Sequence, residues 1–162
     1  MYMRLIRTIG KYIVDIMVDD EDYIRLSRYK WYFSTKKGYA YRIERIGNRK
    51  HNIRMHREIL TTELLVDHID LNKFNNQKKN LRPATRAQNA QNTGVKKCYA
   101  RKNKSSQFKG VSKRRGAWRM NIKLPDGTLI DKRYETELEA AHEYDRLARE
   151  HFKEFARTNF PG

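Results

Sequence analysis

The chain has 162 residues, with 36 Lys and Arg against 19 Asp and Glu and a formal net charge of +17. That is enough for one ordinary domain or two small ones, each with a modest core. Its longest apolar runs are too short to cross a bilayer and no signal-peptide segment opens it, so a soluble, cytoplasmic protein without a membrane partner is expected; with Cys98 as its single cysteine, an internal disulfide and a cysteine-built zinc cage are excluded, and no structural zinc is expected.

Residues 12–18, YIVDIMV, are β-prone. Residues 19–29, DDEDYIRLSRY, open with acids suited to a helix N-terminus and place Tyr23 and Leu26 at helical spacing. The acids Asp19, Asp20, Glu21 and Asp22 therefore read as a helix start rather than a metal site. GYAYRIER and HNIRMHREI, separated by IGNRK, predict a hairpin leading into a short helix. VDHID and an asparagine-rich stretch follow, and then ATRAQNAQN, which reads as helical. Residues 94–106, GVKKCYARKNKSS, are basic and lack apolar periodicity, a linker signal.

The last segment is the clearest. In AWRMNIKL, Trp118, Met120, Ile122 and Leu124 alternate with Arg119, Asn121 and Lys123, giving a strand with one apolar and one basic face. PDGT is turn chemistry, LIDKRY a return strand, and FKGVSKRR a third strand. Thr136 and Glu139 form a capping-box pattern that opens a helix carrying Leu138, Ala141, Tyr144, Leu147 and Ala148. A three-stranded sheet backed by one helix is expected, with its other face free and basic.

Charge is distributed unevenly. From Leu71 to Pro125 there is no Asp or Glu, against 16 Lys and Arg in 55 residues. A field of this kind captures polyanions. Phe108, Trp118, Met120 and Ile122 interrupt the charges with strand-like regularity, so the stretch reads as folded rather than as a disordered tail. Nucleic acid is the expected partner.

The stretch VDHIDLNKFNNQKKNLRPATRAQN, residues 66–89, holds chemistry suited to such a partner. Cleaving a phosphodiester needs an activated water, charge stabilisation and help for the leaving oxygen. Neutral histidine is a base near pH 7, and a hard cation takes carboxylate and amide oxygens. Asp67 and His68 supply a ligand and a base. As neighbours on a strand they would point to opposite faces. On spacing alone the pattern is weak, since a lone Asp-His pair is more often structural and asparagine-rich loops are ordinary turns.

MHREIL at 55–60, VDHID at 66–70, NNQKKNLR at 75–82 and ATRAQNAQN at 84–92 together resemble HNH endonucleases. The closest likeness is to the homing-type branch of phage and bacterial mobile elements, in which asparagine replaces the final histidine. VDDEDYIRLSRYKW and GYAYR upstream are similar to segments that often precede that core. The resemblance implies a ββα-metal fold, a two-stranded hairpin and a helix gripping one divalent ion, Mg2+ with Mn2+ able to substitute. It implies Asp67 and Asn89 as metal ligands, His68 as general base and Asn80 as the residue bracing the loop. His56 matches a recurrent upstream histidine of open role, and Asn92 is a rival to Asn89. Gln77 stands where the branch commonly has arginine.

SSQFKGVSKRRGAWRMNI, YETELEAAHEYDRLAREHF and ARTNFPG resemble the APETALA2-type DNA-binding domain of plant ethylene-response factors, which also occurs joined to HNH nucleases. The resemblance implies a sheet entering the major groove, where arginine reads guanine. It suggests Lys109, Ser112, Arg114, Arg119, Asn121 and Lys123 as contact residues, with Arg115 on phosphate and Trp118 in the core. Ser112 replaces a usual arginine, and Asp131-Lys132 replaces a usual Leu-Gly.

The expectation is an α+β protein with a nuclease domain at 1–93, a linker at 94–106 and a DNA-binding domain at 107–162. It would act on double-stranded DNA without a small-molecule cofactor, as a monomer or a DNA-induced dimer. The rival readings are a DNA-binding regulator whose nuclease core has lapsed and an RNA-binding protein.

Overall fold

Every strand named below pairs with its neighbour in sequence, so the fold is a chain of hairpins closed by short helices. The computed structural model describes residues 2–93 and 105–160. It is a mixed α+β structure and divides into two units, Met1–Thr85 and Arg86–Gly162. No helix among the described residues is long and apolar enough to cross a membrane.

In the first unit, β1 (Met3–Arg7) pairs antiparallel with β2 (Asp15–Asp19). The strand expected over 12–18 begins at Asp15 because Thr8 knits the preceding turn. Its Oγ1 accepts from Val14 N at 2.9 Å and donates to Tyr12 O at 3.1 Å. Helix α1 (Asp20–Leu26) starts with Asp20, Glu21 and Asp22 in its first turn, where carboxylates oppose the positive end of the helix dipole. It is shorter than the expected 19–29: Tyr29 N turns back to Leu26 O at 3.2 Å, and Trp31 Nε1 donates to the same carbonyl at 2.8 Å.

A three-stranded sheet follows, from β3 (Tyr32–Ser34), β4 (Tyr39–Ile46) and β5 (Arg49–Arg54), and runs directly into α2 (Met55–Ile59). The last pair is β6 (Leu65–His68) with β7 (Leu81–Ala84). Ile16, Val18, Leu26, Trp31 and Met55 are fully buried, and Ile59, Val66 and Leu81 close the core around them. Burying an aliphatic side chain of this size contributes roughly 1.5–3 kcal/mol.

The second unit opens with α3 (Arg86–Gln91), which the sequence reading grouped with residues 1–93. Of the linker expected at 94–106, residues 94–104 lie outside the described residues. Strands β8 (Val111–Arg114), β9 (Ala117–Lys123) and β10 (Leu129–Tyr134) form an antiparallel sheet with β9 in the centre. Helix α4 (Glu137–Phe152) packs on one face. Its capping box is complete: Thr136 Oγ1 accepts from Glu139 N, and Glu139 Oε2 accepts from Thr136 N, both at 3.2 Å.

Met120, Ile122, Ala140, Ala141, Tyr144, Leu147 and Ala148 make the second core. Leu138, expected on the apolar face of α4, is instead exposed, and burial along the helix starts at Ala140. Gly110 has φ +75, and a Cβ there would lie 2.1 Å from the Tyr144 ring. Only glycine allows β8 to begin against that ring. The buried Asp145 anchors the last residues, accepting from Asn159 N and Phe160 N at 2.8 Å.

Candidate active site

Strands β6 and β7 are joined by residues 69–80, a loop built from side-chain amides and one carboxylate. Asp70 is its centre. Its carboxylate accepts from Asn72 N at 2.7 Å, Asn80 Nδ2 at 2.8 Å and Asn75 Nδ2 at 2.9 Å. Asn80 returns the bond, its Oδ1 accepting from Asp70 N at 3.0 Å, and its Nδ2 also donates to Asn75 O at 2.8 Å. The crowd of asparagines now has a physical reason: short amides satisfy backbone groups that no ladder reaches. The loop is fastened from outside by the buried Asp19, which accepts from Gln77 Nε2 at 2.9 Å and Lys78 N at 2.7 Å. Thus Gln77, the departure from the family pattern, is used for docking the loop to β2.

His68 ends β6 and is buried. Its Nε2 faces Asn76 Oδ1 at 3.4 Å. Asn76 Nδ2 donates to Lys73 O at 3.2 Å, which fixes the amide with its oxygen toward the imidazole. An amide oxygen only accepts, so the contact selects the tautomer protonated on Nε2 and leaves the lone pair on Nδ1. Burial lowers the His68 pKa against the raising influence of Asn76, Asp70 and Asp67, so the ring is neutral at pH 7. His56, on α2, lies edge-on to His68 with ring centroids 5.4 Å apart, and Tyr39 contacts both rings. Burial first, then the charges of His68, Arg54, Arg57 and Lys73, holds His56 down at about 3. It is a neutral ring packed against His68.

Asp67 is buried and pairs with Arg82 across the hairpin, its Oδ2 receiving Arg82 Nε at 3.0 Å and Nη2 at 2.9 Å. Among the described residues no three His, Cys, Asp or Glu side chains converge as a metal cluster. Asp67 is the buried carboxylate of the hairpin, the kind of oxygen donor a hard cation takes, and its Oδ2 is occupied by Arg82.

Asn89 is half-buried on α3, and Asn92 is buried just beyond it, its N–H donating to Gln88 O at 3.2 Å. Both belong to the second unit, whereas Asp67, His68, Asn80 and His56 belong to the first.

In the second unit, Ser112, Arg119, Asn121 and Lys123 lie on the sheet face opposite the core. Arg114 and Arg115 stand at the β8–β9 turn, Arg115 with φ +51. Register adds Arg133, directly across from Arg119 and exposed, which the sequence reading missed because its number gives no hint of its partner. Arg119 is not open: its guanidinium pairs twice with Asp131, Nε to Oδ1 at 2.9 Å and Nη2 to Oδ2 at 2.6 Å. Lys109 is partly buried, its ammonium over the Tyr144 ring and donating to Gln91 O, and burial lowers it to about 8. Trp118 packs against the core with Lys113 over its ring.

Most of the chain is similar to one curated protein. Over 143 residues the chain is 36% identical to an uncharacterized HNH endonuclease of Acanthamoeba polyphaga mimivirus, covering 83% of this chain and 68% of that protein. The chain belongs to the HNH endonuclease family. No family model matches it, and no solved structure does.

Proposed function

We propose that this protein is a site-directed DNA endonuclease of homing type. Residues 1–93 cut, and residues 107–162 are an APETALA2-like reader that lays its open sheet face in the major groove. The observation that carries the reading is the neutral His68 imidazole, buried at the end of β6 and held by Asn76 with Nδ1 as its basic nitrogen. That nitrogen takes a proton from water. The water oxygen bonds to phosphorus, and the bond to the leaving sugar oxygen breaks. Asn80 keeps the loop, and so the imidazole, in one conformation.

Asp67 and Asn89 are the proposed metal ligands, Asp67 as the buried carboxylate of the hairpin and Asn89 by its place in the sequence motif, with Asn92 as the rival. A bound Mg2+ or Mn2+ would neutralise charge on the phosphate and the leaving oxygen. Asp131 and Arg119 give the reader a mixed charge pattern, while Ser112, Asn121, Lys123, Arg114, Arg115 and Arg133 remain as its groove and phosphate contacts.

One observation favours a competing reading. The Asp67 carboxylate already has a cation, Arg82, as in a regulator that binds DNA and no longer cuts. Incubating supercoiled plasmid with Mg2+ or Mn2+, against EDTA, separates the two. Nicking by the wild type that His68→Ala abolishes, with duplex binding retained, supports the endonuclease. Loss of cleavage and binding together assigns His68 a structural role.

A further inference from the structure

One face of the β3–β4–β5 sheet holds a recess of about 180 Å3 lined by Ser34, Lys37, Tyr39, Tyr41, Asn52 and Arg54. Strand register puts these side chains together. Ser34 is paired with Tyr39 and Tyr41 with Arg54, while Tyr39 and Tyr41, like Asn52 and Arg54, are two apart on one strand. The lining contains two cations and no carboxylate. A third cation stands beside it: Lys73, from the asparagine loop, has its ammonium 4.3 Å from the Tyr39 ring centroid and donates to Lys37 O at 3.0 Å.

Some arginines elsewhere in this unit are neutralised. Arg42, also on β4, meets Glu58 at 2.7 Å and Glu44 at 3.1 Å, and Arg25 meets Asp22 at 2.7 Å. Lys37 and Arg54 have no ion pair among the described residues, and Arg54 instead lies over the Tyr39 ring at 5.5 Å. Like charges gathered without acids repel one another, and the arrangement is stabilised when an anion joins it. The fork of a guanidinium, an ammonium, phenol and serine hydroxyls and an asparagine amide is the donor set of a phosphate site. Its position is informative. The Tyr39 ring that walls the recess stacks on His68 with centroids 5.9 Å apart.

We propose that this recess binds a phosphodiester of the nucleic-acid backbone neighbouring the one presented to His68, with Arg54 and Lys37 as its cations. The inference rests on the nuclease reading above and names how that site holds its substrate. The strand is thereby gripped on one side of the cut by the nuclease unit itself, independently of any contact made by the second unit.

The test uses the full chain and two readouts. In EDTA, thymidine 3′,5′-bisphosphate is titrated while NMR follows the Arg54 Nε–H and the backbone amides of Lys37 and Gly38. All three resonances shift to saturation in the wild type, and the two backbone amides do not in Arg54→Gln. With Mg2+ and supercoiled plasmid, Arg54→Gln and Lys37→Gln raise KM for nicking about tenfold and leave kcat nearly unchanged, the loss expected for one charged phosphate contact. Unchanged thermal unfolding of the two variants shows that they are folded. Nicking by the wild type with no saturating shift at Arg54, or with Arg54→Gln at wild-type KM, overturns the proposal. If the shifts saturate at Arg54 but the wild type nicks no plasmid with Mg2+ or Mn2+, the recess stands as a phosphate site and the nuclease reading alone falls.

Discussion

His68 Nε2 faces Asn76 Oδ1 across 3.4 Å, while Asn76 Nδ2 donates to Lys73 O across 3.2 Å. The amide thereby fixes which imidazole nitrogen carries the proton. Asn76→Ala removes that choice without touching substrate, so kcat for plasmid nicking falls about tenfold or more and KM holds. Nitrogen-15 NMR of the imidazole distinguishes this from a packing defect: the wild type shows a single Nε2–H tautomer and the variant a mixture. A variant with unchanged tautomer and unchanged kcat removes Asn76 from the mechanism.

Asp67 and Arg82 are a buried ion pair, with side-chain exposures of 4% and 13%. Burial at that level means that neither charge is shared with solvent when the other is lost. Arg82→Leu takes the cation away from this buried carboxylate and costs about 3–5 kcal/mol of unfolding free energy. Asp67→Asn combined with Arg82→Leu leaves no buried charge and recovers part of the loss. Urea unfolding of the two single variants and the double variant measures the coupling. Additive losses would mean that the pair contributes nothing as a pair.

Much of this architecture is legible from residue types. Period-two alternation over 117–124 and the Thr136–Glu139 pattern specify a strand and a helix start through local chemistry alone, and both are present. β1 and β3 are not legible in that way. Met3 and Leu5 are about half exposed while Ile6 is buried, so β1 has no clean apolar face, and β3 is three residues of intermediate burial completed by β4. The site divides along the same line. Asp67, His68 and Asn80 stand out as an ordered motif. Asn76, Asp70, Tyr39 and Arg54 acquire their meaning from packing between elements, and nothing in the residue type separates Asn76 from Asn75. Arg82 looks like one more basic residue until register sets it opposite Asp67.

His56 makes stability depend on pH. Its pKa is held at about 3 in the folded chain against an ordinary 6.5, with burial the leading cause. Between those values the unfolded chain binds the extra proton. The stabilisation is therefore complete above pH 6.5 and is lost progressively as pH falls toward 3. At pH 5 the loss due to His56 is about 2 kcal/mol. His68 is shifted in the same direction, so a smaller slope persists without His56. Urea unfolding at pH 7 and pH 5 compares the wild type with His56→Gln. The variant is expected to lose about 2 kcal/mol less over that interval, and an equal loss in both would show that His56 is already charged in the fold.

Arg119 and Asp131 are diagonal neighbours on the open face of the second sheet, joined by two hydrogen bonds of 2.9 and 2.6 Å. Both side chains are partly exposed, at 26% and 36%, so the pair is worth little to stability. Its consequence is for binding. The carboxylate cancels one positive charge on a face otherwise carrying Lys123 and Arg133 and occupies the fork that would grip guanine or phosphate. Asp131→Asn should therefore raise affinity for a duplex of arbitrary sequence severalfold and steepen the dependence of log K on log salt by about one, as expected for one added phosphate contact. Adding Arg119→Ala to that variant should erase the gain, which identifies the released guanidinium as its source. Fluorescence anisotropy across a salt series measures both. A fall in affinity on replacing Asp131 would show the opposite arrangement, a carboxylate that holds Arg119 in position for the groove.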